Sequence, residues 1–211
     1  MVRKVRNGWI LASDKAEHVK INVFLNIIIF PAKFIARLHF HGDFMKILVV
    51  FFSRTGTTKK VAETISNILG SDLEELFDTK KRAGALGWLQ SGRDTLTKKL
   101  TIIKPPKKDP GSYDVVIIGT PVWNSTLSTP IRTYITQYKQ GFKQVAFFIT
   151  HSYESKNTAL EEMEALCDRK LIAELVLKLK QEVKTETYLD KTKQFADAII
   201  KQMNESTHQD N

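Results

Sequence analysis

At 211 residues, with 42% hydrophobic and 26% charged content, the chain is long enough for one domain with a sizeable core and has an ordinary globular make-up. The single cysteine, Cys167, excludes an internal disulfide and a cysteine-rich metal site; with no sign of an oxidising compartment, a cytoplasmic location is expected. The formal net charge is +9, yet no zinc-finger spacing, RNA-binding aromatic signature or concentrated basic block accompanies it, so no nucleic-acid partner is expected.

Residues 1–44 differ from the rest. They carry seven Lys or Arg against Asp14, Glu17 and Asp43, which leaves residues 45–211 a surplus of five positive charges. Ile21–Phe40 is apolar but interrupted by Asn22, Asn26, Pro31, Lys33 and Arg37. Its longest clean run, Ile27–Phe30, falls far short of the roughly 20 residues that cross a bilayer. Two readings fit: a membrane-surface or partner-binding segment with basic flanks, or an extension ahead of a native start at Met45. The second is adopted, because Met45 directly precedes what reads as a complete domain. Membrane contact is then expected only if residues 1–44 belong to the native protein.

From Met45 apolar strands alternate with amphipathic helices. The run Lys46–Phe52 predicts a buried strand, and Val61, Ala62, Ile65, Ile68 and Leu69 fall at helical spacing, placing a helix over about Thr57–Leu69. Asp72–Phe77 reads as a second strand. In the long stretch Asp78–Tyr113, RAGALGWLQSGRDTLTKKL could form an irregular helix with Trp88 and Leu89 inward, although Gly84, Gly87 and Gly92 weaken it. A third strand is predicted at Val115–Gly119, a helix from Pro130 to Tyr138, and a fourth strand at Gln144–Thr150. Helices follow at about Asn157–Arg169 and Lys191–Asn204, with a fifth strand near Leu175–Leu179 between them. This alternation implies a parallel α/β sheet covered on both faces, spanning 45–204, with a polar tail at 205–211. Cys167 sits in a helical pattern and reads as a small core residue.

Three predicted strand ends carry chemistry, because ligands of doubly wound sheets bind at the carboxyl ends of the strands. After the first comes Ser53-Arg54-Thr55-Gly56-Thr57-Thr58, with four hydroxyls just ahead of a helix N-terminus, where unpaired N–H groups favour an anion. This loop is read as the holder of a phosphate monoester. After the third comes Thr120-Pro121-Val122-Trp123-Asn124-Ser125, and after the fourth Thr150-His151-Ser152-Tyr153. A phosphate cradle beside two aromatic-bearing loops suits a ligand with a phosphate tail and a flat ring. No G-x-x-x-x-G-K-[ST] is present for a nucleotide hydrolase; the first strand ends in Phe51-Phe52-Ser53, without the aspartate of a phosphoryl-accepting domain. Cys167 lies away from the anion loop, which disfavours a cysteine phosphatase.

Ser53-x-Thr55-Gly56-x-Thr58 after the first strand is similar to the phosphate loop of flavodoxins, and Gly119-Thr120-Pro121-Val122-Trp123 resembles their second flavin-contacting loop. The agreement extends through most of residues 45–204. The resemblance implies a flavodoxin-like, doubly wound five-stranded parallel sheet of order 2-1-3-4-5 with helices on both faces, and non-covalently bound flavin mononucleotide (FMN). It implies that Ser53, Thr55, Thr57 and Thr58 donate to the phosphate, that Gly56 lets the backbone approach, and that Arg54 points to solvent. Trp123 would flank the flavin ring, the alternative being a core tryptophan beside Pro121, with Thr120, Val122 and Asn124 along the ring edge and Tyr153 toward its other face. The third loop departs from the family's glycine-rich form, and His151 is expected as a surface loop residue, with contact to the flavin or its substrate as the alternative. The implied role is electron transfer to a redox partner protein or a small-molecule acceptor, with the flavin doing the chemistry and the protein tuning it. The alternative is an FMN-dependent NAD(P)H:quinone-type oxidoreductase. It gains weight because carrier flavodoxins usually present an acidic face, whereas residues 45–211 are basic.

Overall fold

The computed structural model describes residues 3–5, 8–10, 45–79, 100–123, 125–152, 158–169, 171–178, 182–183 and 185–207; before Met45, and at Trp123, Ser206 and Thr207, this covers the backbone alone. The chain divides into two compact units, Met1–Pro31 and Ala32–Asn211. In the first, β1 (Arg3–Val5) and β2 (Gly8–Ile10) pair as an antiparallel ribbon.

The second unit runs β3 (Ile47–Phe51), α1 (Thr57–Leu69), β4 (Asp72–Glu75), β5 (Val115–Trp123), β6 (Thr126–Leu127), α2 (Thr129–Tyr138), β7 (Gln144–His151), α3 (Thr158–Cys167), β8 (Leu171–Lys178) and α4 (Tyr188–Thr207). The strands β4-β3-β5-β7-β8 lie side by side in that order, all parallel, which is the 2-1-3-4-5 order expected.

Continuous apolar runs make these strands central, because alternate side chains feed opposite faces and both faces are covered. Leu48, Val50, Val116, Ile118, Val145 and Phe147 pack on one face with Ile131, Tyr134 and Ile135 of α2 and Leu160 and Met163 of α3. Val49, Phe51, Val115, Ile117, Ala146 and Phe148 pack on the other with Val61, Ala62 and Ile65 of α1 and Phe195, Ala196 and Ile199 of α4. Strand β4, Asp-Leu-Glu-Glu, pairs with β3 at the edge of the described sheet; its Glu74 is buried and accepts from the Lys107 N–H at 3.0 Å. Cys167 is buried in the α2/α3 layer, and burial pushes its thiol up to about 12.

Several elements differ from expectation. The third strand does not stop at Gly119: β5 continues to Trp123, first against β7 and then, through Val122 and Trp123, against β6 in an antiparallel hairpin. The two-residue β6 is too short to leave a periodic signal. The last strand begins four residues early, at Leu171, because exposed Glu174 interrupts its apolar pattern without breaking the pairing. The final helix runs from Tyr188 to Thr207, three residues into the segment expected as a polar tail. The irregular helix suggested around Trp88 and Leu89 lies outside the described residues. Among the described residues, no helix is long and apolar enough to cross a membrane.

Candidate functional site

The parallel sheet brings the carboxyl ends of β3, β5 and β7 to one edge, and the first of these ends is the most completely built. Gly56 adopts φ +87°, a left-handed conformation that a side chain would strain, and it immediately precedes α1. A Cβ placed there would meet nothing within 4 Å, so the glycine serves the turn and leaves open space in front of it. Ser53 Oγ accepts a hydrogen bond from the Gly56 N–H at 3.1 Å, closing the loop on itself. The first intrahelical bond runs from Lys60 N–H to Gly56 O at 2.9 Å, which leaves the N–H groups of Thr57, Thr58 and Lys59 ahead of the helical ladder. No side chain caps this end and its first turn holds no acidic residue. The Thr55 and Thr57 hydroxyls stand 3.5 Å apart beside it, and Arg54 is exposed.

The lysines of the same turn are turned to carboxylates. Lys59 Nζ lies 2.9 Å from Glu75 and Lys60 Nζ 3.0 Å from Glu186, and those hydrogen bonds raise both ammonium pKa values. The loop therefore offers an anion oriented N–H dipoles and neutral hydroxyls, a donor set suited to a phosphate.

Thr58 is placed differently from its neighbours. It is buried, and its hydroxyl bonds Thr150 Oγ1 at 2.9 Å, across to the end of β7. Its amide faces the anion end, while its hydroxyl ties two strand ends together. Thr150 also stands opposite Pro121 of β5, so this one residue meets both β5 and the first turn of α1.

The second strand end is more rigid than a loop. Thr120, expected along a ring edge, is fully buried: its Oγ1 accepts from the Ser128 N–H at 3.0 Å and donates to Ser128 Oγ at 3.0 Å, fixing the start of α2. Pro121 and Val122 are half-buried, and Val122 packs on the core. Trp123 ends β5 opposite Thr126. Asn124 and Tyr153 lie outside the described residues. His151, expected on a surface loop, is instead the last residue of β7 and 6% exposed, because the parallel pairing with β8 extends through it to Lys178. Gly119, read as part of a contacting loop, sits mid-strand under Phe148, whose ring would lie 1.9 Å from an added Cβ.

The flavodoxin family model matches residues 46–192. The chain belongs to the flavodoxin family. Among solved structures, this flavodoxin domain is similar to a Lactobacillus acidophilus flavoprotein in complex with FMN, at 27% identity and TM-score 0.55, covering 70% of this chain and 97% of that one. A protein assigned as a flavoprotein from Bacteroides eggerthii is 29% identical, TM-score 0.57, with the same coverages of 70% and 97%. No curated protein matches the chain.

Four residues of the flavodoxin domain's second strand end escaped the sequence reading. Thr126, Ser128, Arg132 and Glu162 form the hydrogen-bonded framework around the β5–β6 hairpin. Arg132 and Glu162 are thirty positions apart on different helices, and neither occurs in a local motif. The available signal was a charge inside each apolar helical pattern, which reads equally well as a solvated face.

Proposed function

We propose that this flavodoxin-family chain binds FMN without covalent attachment, its phosphate on Ser53–Thr58 and its ring against the ends of β5 and β7, and transfers electrons in the cytoplasm to a redox partner protein or a small-molecule acceptor. One observation carries the reading: the uncapped N-terminus of α1 after Gly56, fronted by hydroxyls, with its lysines already paired. The FMN named for the Lactobacillus relative supports the choice of ligand. FMN supplies a redox-active ring when bound. The chain's own residues hold the phosphate through Thr57, Thr58 and Lys59 amides and the Ser53–Gly56 turn, and they keep the ring end dry with Val122 and the buried ends of β5 and β7.

An oxidoreductase that reduces a quinone-type acceptor with a nicotinamide donor is the second reading, favoured by the basic surplus in residues 45–211. The test is a visible absorption titration with FMN and with riboflavin, which lacks the phosphate. Wild type should bind FMN near-stoichiometrically, and Thr55→Ala/Thr57→Ala should lose about tenfold in FMN affinity with little change for riboflavin. Equal losses for both ligands would place the phosphate elsewhere. Turnover of reduced nicotinamide with a quinone would then select the second reading, and its absence the carrier.

A further inference from the structure

The β5–β6 hairpin is held by an arrangement that stability alone does not explain. The Arg132 side chain is 4% exposed and that of Glu162 14%, and they meet with Nη1 to Oε1 at 2.6 Å between α2 and α3. Arg132 Nη2 donates to Thr126 Oγ1 at 3.0 Å, and that hydroxyl in turn donates to Glu162 Oε2. Thr126 lies on β6, opposite Trp123. The hairpin tip is fixed a second time, where Thr158 Oγ1 of α3 donates to the Ser125 carbonyl. Ser125 is at φ +64°, left-handed and without glycine's freedom, so the turn is held in a conformation its own sequence does not favour.

Burying two charges sacrifices hydration that their attraction barely recovers, and well-packed apolar residues often serve stability as well. Here the cost is higher still, since buried Arg132 Nε has no hydrogen-bond partner among the described residues. An arrangement this poor as a stabiliser is informative through what it fixes: a strand pair too short to set its own position, at the edge where the flavin ring is proposed.

Resting on the FMN reading, we propose that Arg132 and Glu162 are positioning residues for the ring end of the site. Acting through Thr126, they set where the end of β5 stands, independently of the phosphate loop. Neither touches the cofactor.

The test separates position from stability. Arg132→Met/Glu162→Leu removes both charges at similar volume, and Thr126→Val removes the hydroxyl while leaving the ion pair. Each is compared with wild type and Thr126→Ser by thermal unfolding, by hydrogen exchange of the apo protein at the Thr126 and Leu127 amides, and by titration with riboflavin and inorganic phosphate. The double variant should melt close to wild type, yet its hairpin amides should exchange at least tenfold faster and its riboflavin affinity should fall about tenfold. Thr126→Val should repeat that loss, Thr126→Ser should restore it, and phosphate affinity should stay constant throughout. Riboflavin affinity within twofold of wild type in both the double variant and Thr126→Val would overturn the positioning role alone. A wild type that binds no flavin would overturn the FMN reading and the ring-end claim with it, and hydrogen exchange would still report whether the hairpin is held.

Discussion

The two ends of the candidate site are built by opposite means. The backbone of the phosphate end is built locally: Ser53, Gly56 and the first turn of α1 lie within a few residues and close through the Gly56 conformation and the Ser53–Gly56 bond, while the side chains of Thr58, Lys59 and Lys60 reach distant partners. The ring end is non-local, with β6 held by Arg132 and Glu162 from two helices and by Thr158 at its tip. A local device survives most changes elsewhere in the protein, whereas a non-local one fails when any contributing element shifts. The phosphate end should therefore be the robust half and the ring end the sensitive one.

The largest expected effect attacks the ring end. Arg132→Met alone removes the cation facing the Glu162 carboxylate and should cost about 4 kcal/mol in urea unfolding, most of it recovered in Arg132→Met/Glu162→Leu. If the single variant loses under 1 kcal/mol, the two ends do not differ in the way described. Next is Gly119→Ala, where the new methyl meets the Phe148 ring, so that ring or β5 must move. A loss of about 3 kcal/mol is expected, with partial recovery in Gly119→Ala/Phe148→Leu. The link between the ends is smaller. Thr58→Val and Thr150→Val should each cost about 1 kcal/mol, and the double variant no more than either alone, because they remove the same buried bond. Full additivity would show that the strand ends are not tied there.

Alkaline pH sharpens the comparison from the side of α3, which carries both Glu162 and Cys167. Burial raises the folded-state thiol from 9.0 to about 12, so its contribution is present below 9.0 and is lost as pH rises through that window. Wild type should lose stability between those limits, with Tyr113, raised to about 12 by burial and by its bond to Asp72, adding to the slope above 10.0. Cys167→Ala should show a flatter profile by thermal unfolding over the same range. An unchanged slope would remove Cys167 from the account.

What the sequence disclosed follows the same division. The phosphate loop was legible because its parts are consecutive: an apolar run, a hydroxyl-rich turn with one glycine, and a helical period. The strand order followed from family resemblance, and the buried strands from continuous apolar runs. At the ring end the strand-end residues were legible as a candidate site, but the framework that holds them was not. Thr120 looked like a loop residue because Pro121 follows it, while β5 in fact continues four residues past Gly119 and Thr120 turns its hydroxyl to Ser128. His151 looked like a surface residue because Ser152 follows, but the length of β7 was set by its pairing with β8. Thr58 was assigned by motif position, and its hydroxyl was taken by Thr150, ninety-two residues away. Thr58 and His151 answer to partners distant in the chain, and Thr120 to Ser128 only eight residues on, across a hairpin too short to leave a periodic signal.

The pairing of Lys59 and Lys60 with Glu75 and Glu186 has a consequence for ionic strength. A phosphate held by free lysines loses affinity steeply as salt rises, because ions compete for the same charges. With both ammonium groups paired to their own carboxylates, an anion on this loop would be held by short-range N–H and hydroxyl dipoles, which dissolved ions hardly screen once the site is filled. The cofactor, once in place, should thus be retained across cellular and laboratory salt concentrations alike, even though the chain as a whole is strongly basic.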